Sequence, residues 1–225
     1  MRRWVLLLLV PLFAPLAGAS STVPKHNPDS DLRAIDRDDA AAEAALAEGG
    51  VDAALRYFDF VGHEQEDFAR ASLEYRLARQ ALRAAVRDTF GRRAWSEASA
   101  ALGSPRRRRG RPAERSARRD GPVVYVRSNG GGTEVPYVNA DGVWKISVRN
   151  VLRAAVEARF GPKVHYEEAD LFVLAGKMGR VLRGRAGQVS ALAADVRGGR
   201  VKSPDELRAA IERIRRGAEA PPARE

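Results

Sequence analysis

Hydrophobic positions along the chain change period at residue 121. From Asp31 to about Glu48 the pattern is helical and Ala-rich between Ala40 and Ala47, and Gly49-Gly50 stops it. Val51 to Phe60 follows as a short predicted helix, with Ala54, Leu55 and Phe58 at helical spacing. Glu64 to Phe90 carries the strongest stripe: Phe68, Ala71, Tyr75, Ala78, Leu82, Ala85 and Val86 recur with the 3.6-residue period. Leu73 and Leu77 widen it, Gly91 is the stop signal, and residues 94–102 are expected to add one or two more helical turns.

After Gly121 the period becomes two. Val123–Val126, Glu134–Val138 and Val143–Val148 read as three strands. Asn129–Gly132 and Asn139–Gly142 are the turns between them, the second carrying the Asp-Gly hairpin signal. Pro136 places the middle run at a sheet edge. Trp144, Ile146 and Val148 share one face and Lys145 and Ser147 the other, so the sheet needs helices against one side. Helical spacing returns at 150–160, at 167–183 (Leu171, Leu174, Met178, Leu182) and at 189–196. Ser203-Pro204-Asp205-Glu206 opens a last helix with Leu207, Ile211 and Ile214 on its apolar face. Residues 82–91 and 152–161 share the pattern LRAAVxxxFG at an offset of 70; chance or convergent helix capping accounts for it in a chain so rich in Ala and Arg. The fold class expected is α+β: N-terminal helices on a small antiparallel sheet, then extra C-terminal helices.

The N-terminus has a different texture. Met1-Arg2-Arg3, the apolar stretch Trp4–Leu16 and the small residues Ala17-Gly18-Ala19 have the order of a secretory signal peptide. Pro11 and Pro15 interrupt a run already short for a membrane span. The expected location is therefore periplasmic or extracellular, with no transmembrane span after cleavage and, lacking Cys, no lipid anchor. The division read from the chain is 1–19 signal peptide, 20–30 polar leader, 31–149 α+β domain, 150–216 helical extension and 217–225 tail.

Composition narrows the chemistry. The 225 residues carry 39 Lys and Arg against 29 Asp and Glu, a formal charge of +10. Residues 20–103 are net −4, residues 104–119 net +7 and residues 120–225 net +5. Arg106, Arg107, Arg108, Arg109 and Arg111 make the central segment a candidate anion-binding loop, with an anionic envelope polymer or lipid as its partner. No aromatic residue lies among them, which argues against specific nucleic-acid binding. Zero Cys removes disulfides, thiol nucleophiles and Cys-ligated zinc, and three scattered His leave no metal site to propose. Asp29, Asp31, Asp36, Asp38 and Asp39 lack calcium-loop spacing and read as helix-start charges. Gly130–Gly132 lacks the Lys and helix of a phosphate loop. No cofactor is implied.

The Asp141-Gly142-Val143-Trp144-Lys145 hairpin and the helices of 31–91, with Ala54-Leu55-Arg56-Tyr57-Phe58, resemble secreted members of the NTF2-like superfamily of cone-shaped α+β proteins over about residues 31–149. That resemblance implies a curved sheet around a cavity. The chain departs from it in showing three strands and a long C-terminal extension. The resemblance makes Tyr57, Phe58, Tyr137, Trp144 and His165 candidate ligand-binding residues for a small apolar ligand or a partner segment. The superfamily also includes isomerases and dehydratases, but no catalytic residue aligns here, so a non-enzymatic binding protein with a cavity is the leading expectation, a protein binding an anionic envelope polymer or lipid through its Arg loop the first alternative, and a cavity enzyme the second. His165 beside Tyr166, Glu167 and Glu168 is the one His with neighbours suited to acid–base work, although these acids also suit a helix start. A homodimer is left open.

Overall fold

A computed structural model describes residues 28–102, 115–128, 134–161 and 164–217. The expected signal peptide, most of the leader, Arg106–Arg111, the Gly-rich turn and the tail lie outside the described residues. The described chain is α+β and mostly helical. Its order is α1 (Pro28–Leu55), β1 (Phe58–Asp59), α2 (Gly62–Ala101), β2 (Arg115–Asp120), β3 (Val123–Ser128), β4 (Val135–Ala140), β5 (Val143–Ser147), α3 (Val148–Phe160), α4 (Glu168–Arg197) and α5 (Pro204–Gly217). No helix among the described residues is long and apolar enough to cross a membrane.

The five strands form one sheet in the order β1-β5-β4-β3-β2. Three hairpin-like pairings are antiparallel, and β1 runs parallel to β5, so the sheet is mixed rather than purely antiparallel. Two strands were not anticipated. β1 falls where a helix was expected to continue to Phe60: α1 ends at Leu55, and Tyr57 lends its carbonyl to the Ile146 N–H at 2.9 Å. β2 begins inside the segment expected to be a loop. Its arginines find carboxylates that cancel their mutual repulsion: Arg115 meets Asp36 and Asp39, Arg118 meets Glu134 at 3.0 Å, and Arg119 lies 3.7 Å from Asp31. Arg118 also stacks over the Tyr125 ring, 4.4 Å from its centre.

Pro136 is not on an edge strand, because β4 sits between β3 and β5. The ladder to β5 starts only at Tyr137, so Pro136 lies beyond the end of that pairing and no partner there needs its missing N–H. The Asn139–Gly142 turn forms as expected. Asp141 and Gly142 both take positive φ (57° and 79°), and the Asn139 side chain accepts the Gly142 N–H at 3.2 Å.

The helical scaffold is a long parallel pair. Gly62 lies against Phe172, Gly179 against Phe68, Arg183 against Asp67 and Glu74, and Arg197 against the Ala81 carbonyl, so α2 and α4 advance together. Their facing residues repeat at three and four: Phe68, Ala71, Tyr75, Ala78, Leu82 and Ala85 on α2, and Leu171, Ala175, Met178, Leu182, Ala186, Val189, Leu192 and Val196 on α4. That seam explains why α4 is one helix where two were expected: packing along α2 carries it through Gly184 and Gly187. The small Gly179 lets the backbones approach closely; a Cβ there would meet the Asp67 carbonyl and the Phe68 Cα at 3.5 Å.

Gly91 does break α2, but the chain turns helical again at once. With φ 84° and ψ 177°, Gly91 occupies a region closed to residues with a Cβ. The segment after it folds Ala94 and Ala98 against α4 and α5. Gly161, the matching glycine of the LRAAVxxxFG pair, has φ 93° and ψ 160° and ends α3. The shared pattern thus encodes a shared backbone break. α1 lays Ile35 on the sheet over Val124, Val126, Tyr137 and Trp144.

Candidate functional site

Two places gather the chemistry of the chain. The first is the α1–sheet contact. Asp36, Asp38 and Asp39 do not start a helix; they lie in the first half of α1 and reach the sheet. The Tyr137 hydroxyl donates to Asp39 at 2.9 Å, and Arg115 Nη2 donates to the same carboxylate at 3.0 Å. Burial first, then the Asp39 charge and hydrogen bond, push the Tyr137 pKa far above its ordinary value, so the phenol stays neutral. Asp38 accepts the buried Trp144 N–H at 2.9 Å. Burial opposes ionisation of Asp38, but the Arg37 hydrogen bond and the Trp144 N–H prevail and hold its carboxyl below the usual range. The outer N–H groups of β5 are thereby closed, Trp144 by Asp38 and Ile146 by the Tyr57 carbonyl. The whole cluster is internally satisfied, which makes it a fastening between α1 and the sheet.

The residues expected to line a ligand cavity divide between environments. Tyr137 and Trp144 are 4% and 6% exposed and packed against Ile35, Val124 and Val126. Phe58 packs in a different cluster, with Leu46, Leu55, Leu152 and Leu171. Tyr57 is half-buried under Arg56, whose guanidinium carbon lies 4.9 Å from the ring centre. His165 is exposed in the connection before α4. Its neighbour Tyr166 bridges Arg153 and Glu157 at 2.8 and 3.4 Å. So only Tyr137 and Trp144 are brought together, against the side chains of α1. Among the described residues no group of three or more His, Asp and Glu could hold a metal ion.

The second place was not anticipated. On the outer face of α2, at the Gly91 elbow, an open concavity of about 460 Å³ is bordered by Gln80, Arg83, Arg87 and Asp88 on one arm and Arg92 on the other. Gln80, Arg83 and Arg87 fall three and four apart, and Ala84 and Asp88 four apart, so these two rows run side by side along the first arm. Neighbouring arginines on α2 have partners: Arg76 pairs with Glu43, Arg79 sits over Tyr75, and Arg93 lies 3.4 Å from Glu97. Among the described residues Arg83, Arg87, Arg92 and Asp88 form no ion pair, with each other or elsewhere. Three guanidiniums therefore border one concave surface without an ion pair among the described residues, and Asp88 is the one acid in the same lining. A sequence clue existed in the four-residue spacing of Arg83 and Arg87 just before a helix-breaking glycine.

The chain matches no family model, no curated protein and no solved structure.

Proposed function

We propose that this chain is an exported, non-catalytic binding protein that engages an anionic partner of the cell envelope, a polymer or a lipid head group, through its cationic surface. The observation that carries the reading is the set of guanidiniums that form no ion pair among the described residues, Arg83, Arg87 and Arg92, on a concave face held by the Gly91 elbow. Arginine offers planar, multi-donor recognition of phosphate, sulfate or carboxylate. The Arg106–Arg111 run adds a second source of positive charge in the same chain.

The NTF2-like reading, with an apolar ligand held against Tyr137 and Trp144, has less support, since Ile35 fills that face of the sheet. A cavity enzyme would need an ionisable pair open to substrate, and the Tyr137–Asp39–Arg115 group is committed to holding α1.

The test is affinity of the mature chain for a soluble anionic polymer, with Arg83→Ala/Arg87→Ala and Arg106→Ser/Arg107→Ser/Arg108→Ser/Arg109→Ser variants measured alongside. Residues 115–119 are left intact because they build β2. The reading requires the first variant to bind at least about tenfold more weakly. Wild-type affinity in the first variant would refute it, whatever the second shows.

A further inference from the structure

The lining of the Gly91 concavity says more about its ligand than the charge alone does. We infer that the elbow of α2 is a binding site for an anionic glycan, a hydroxyl-rich chain carrying carboxylate, phosphate or sulfate groups; this rests on the cationic reading above and narrows it.

Three features select that class. First, the groove mixes its cations with groups that suit hydroxyls. Asp88 lies among Arg83, Arg87 and Arg92 yet pairs with none of them, so its oxygens remain available as acceptors. Gln80, exposed at the near end, supplies an amide that both donates and accepts. A site for bare polyanion has no use for a carboxylate in its lining, because like charges repel; a sugar hydroxyl donates to it. Second, among the described residues the only apolar lining is Ala84 and the Gly91 backbone. Nucleobases have no aromatic surface on which to stack, and a lipid layer has no apolar side chain to take up. Third, the shape fits a strand. Gln80 to Asp88 run about 12 Å along the axis before the chain bends. The concavity, about 460 Å³, lies within the ~300–1,000 Å³ typical of small-ligand sites. A concave strip of that length holds a few sugar rings and meets a planar bilayer poorly.

The carboxylate gives the test a sign. Polygalacturonate and inorganic polyphosphate are both linear polyanions, but only the first carries hydroxyls. Affinities of the mature chain for both are measured at fixed ionic strength, together with those of Asp88→Ala, Asp88→Asn and Arg83→Ala/Arg87→Ala. All these positions lie on the outer face of α2, and circular dichroism checks the fold of each variant. Asp88→Ala removes a negative charge, so it tightens polyphosphate binding. On polygalacturonate the same change weakens binding by about three- to tenfold, the loss of one or two hydrogen bonds. Asp88→Asn keeps an acceptor and recovers most of the polygalacturonate affinity. If Asp88→Ala tightens both polymers, the glycan assignment is wrong while the cationic reading stands. If Arg83→Ala/Arg87→Ala leaves both affinities unchanged, the cationic reading itself falls. Equal Arg-dependent binding to phosphatidylglycerol vesicles and to polygalacturonate would also overturn the glycan assignment.

Discussion

Replacing Asp38 with alanine removes the acceptor of the buried Trp144 N–H, a 2.9 Å hydrogen bond that ties α1 to β5. An unsatisfied buried donor costs about 1–3 kcal/mol. Alanine returns about 0.5 kcal/mol because it favours helix more than Asp does. The Arg37 contact adds nothing measurable, since that side chain is 67% exposed. The net loss is about 0.5–2.5 kcal/mol, a fall in Tm of about 5 °C for a chain of this length. Thermal unfolding followed by circular dichroism measures it. Asp36→Ala is the control: its carboxylate is half exposed, and Arg115 keeps Asp39, so it stays within about 0.5 kcal/mol of the parent. The pH dependence has a definite sign. Asp38 is held below its unfolded value, so its contribution is present above about pH 4 and is lost as pH falls through the folded value. Asp38→Asn flattens the acid limb of the stability curve. An Asp38→Ala melt within 1 °C of the parent, or an equal fall for Asp36→Ala, refutes the fastening.

Other predictions follow the same logic. Gly91→Ala forces a Cβ into a glycine-only conformation at a cost of about 1–3 kcal/mol, read as a lower Tm, and it weakens anion binding by disturbing the elbow. Gly179→Leu drives a side chain into the Asp67–Phe68 backbone and lowers the denaturation midpoint by more than Gly184→Leu, where an added Cβ meets nothing within 4 Å. Tyr137→Phe loses a hydrogen bond to a carboxylate worth about 1.5–3 kcal/mol at neutral pH. Because the Tyr137 pKa is raised, the parent loses this contribution as pH rises above about 10, and the gap between parent and variant narrows there.

Much of the scaffold is visible in the sequence. The stripe from Phe68 to Val86 is the α2 seam, the Asp141-Gly142 turn forms, and Ser203-Pro204 opens α5. The failures have physical causes. β1 is two residues long, too short for a period to show. β2 is an Arg-rich strand made tenable by Asp31, Asp36, Asp39 and Glu134, carboxylates far off in the chain or across a hairpin. The single α4 helix overrides Gly184 and Gly187 through contacts with a partner about 110 positions away. Asp36, Asp38 and Asp39 look like helix-start charges until the sheet is in place. The basic concavity is the hardest to foresee: Arg83 and Arg87 resemble any solvated helix face, and the helical turns expected after Gly91 do not reveal that the bend between the two arms makes that face a groove.

The most direct measurement is arginine-specific labelling with phenylglyoxal, read by mass spectrometry with and without polygalacturonate. The account predicts that Arg83, Arg87 and Arg92 are protected together by the polymer, while Arg180 and Arg213, exposed on other helices, label at unchanged rates. Uniform protection of all five, or protection confined to Arg180 and Arg213, would contradict it.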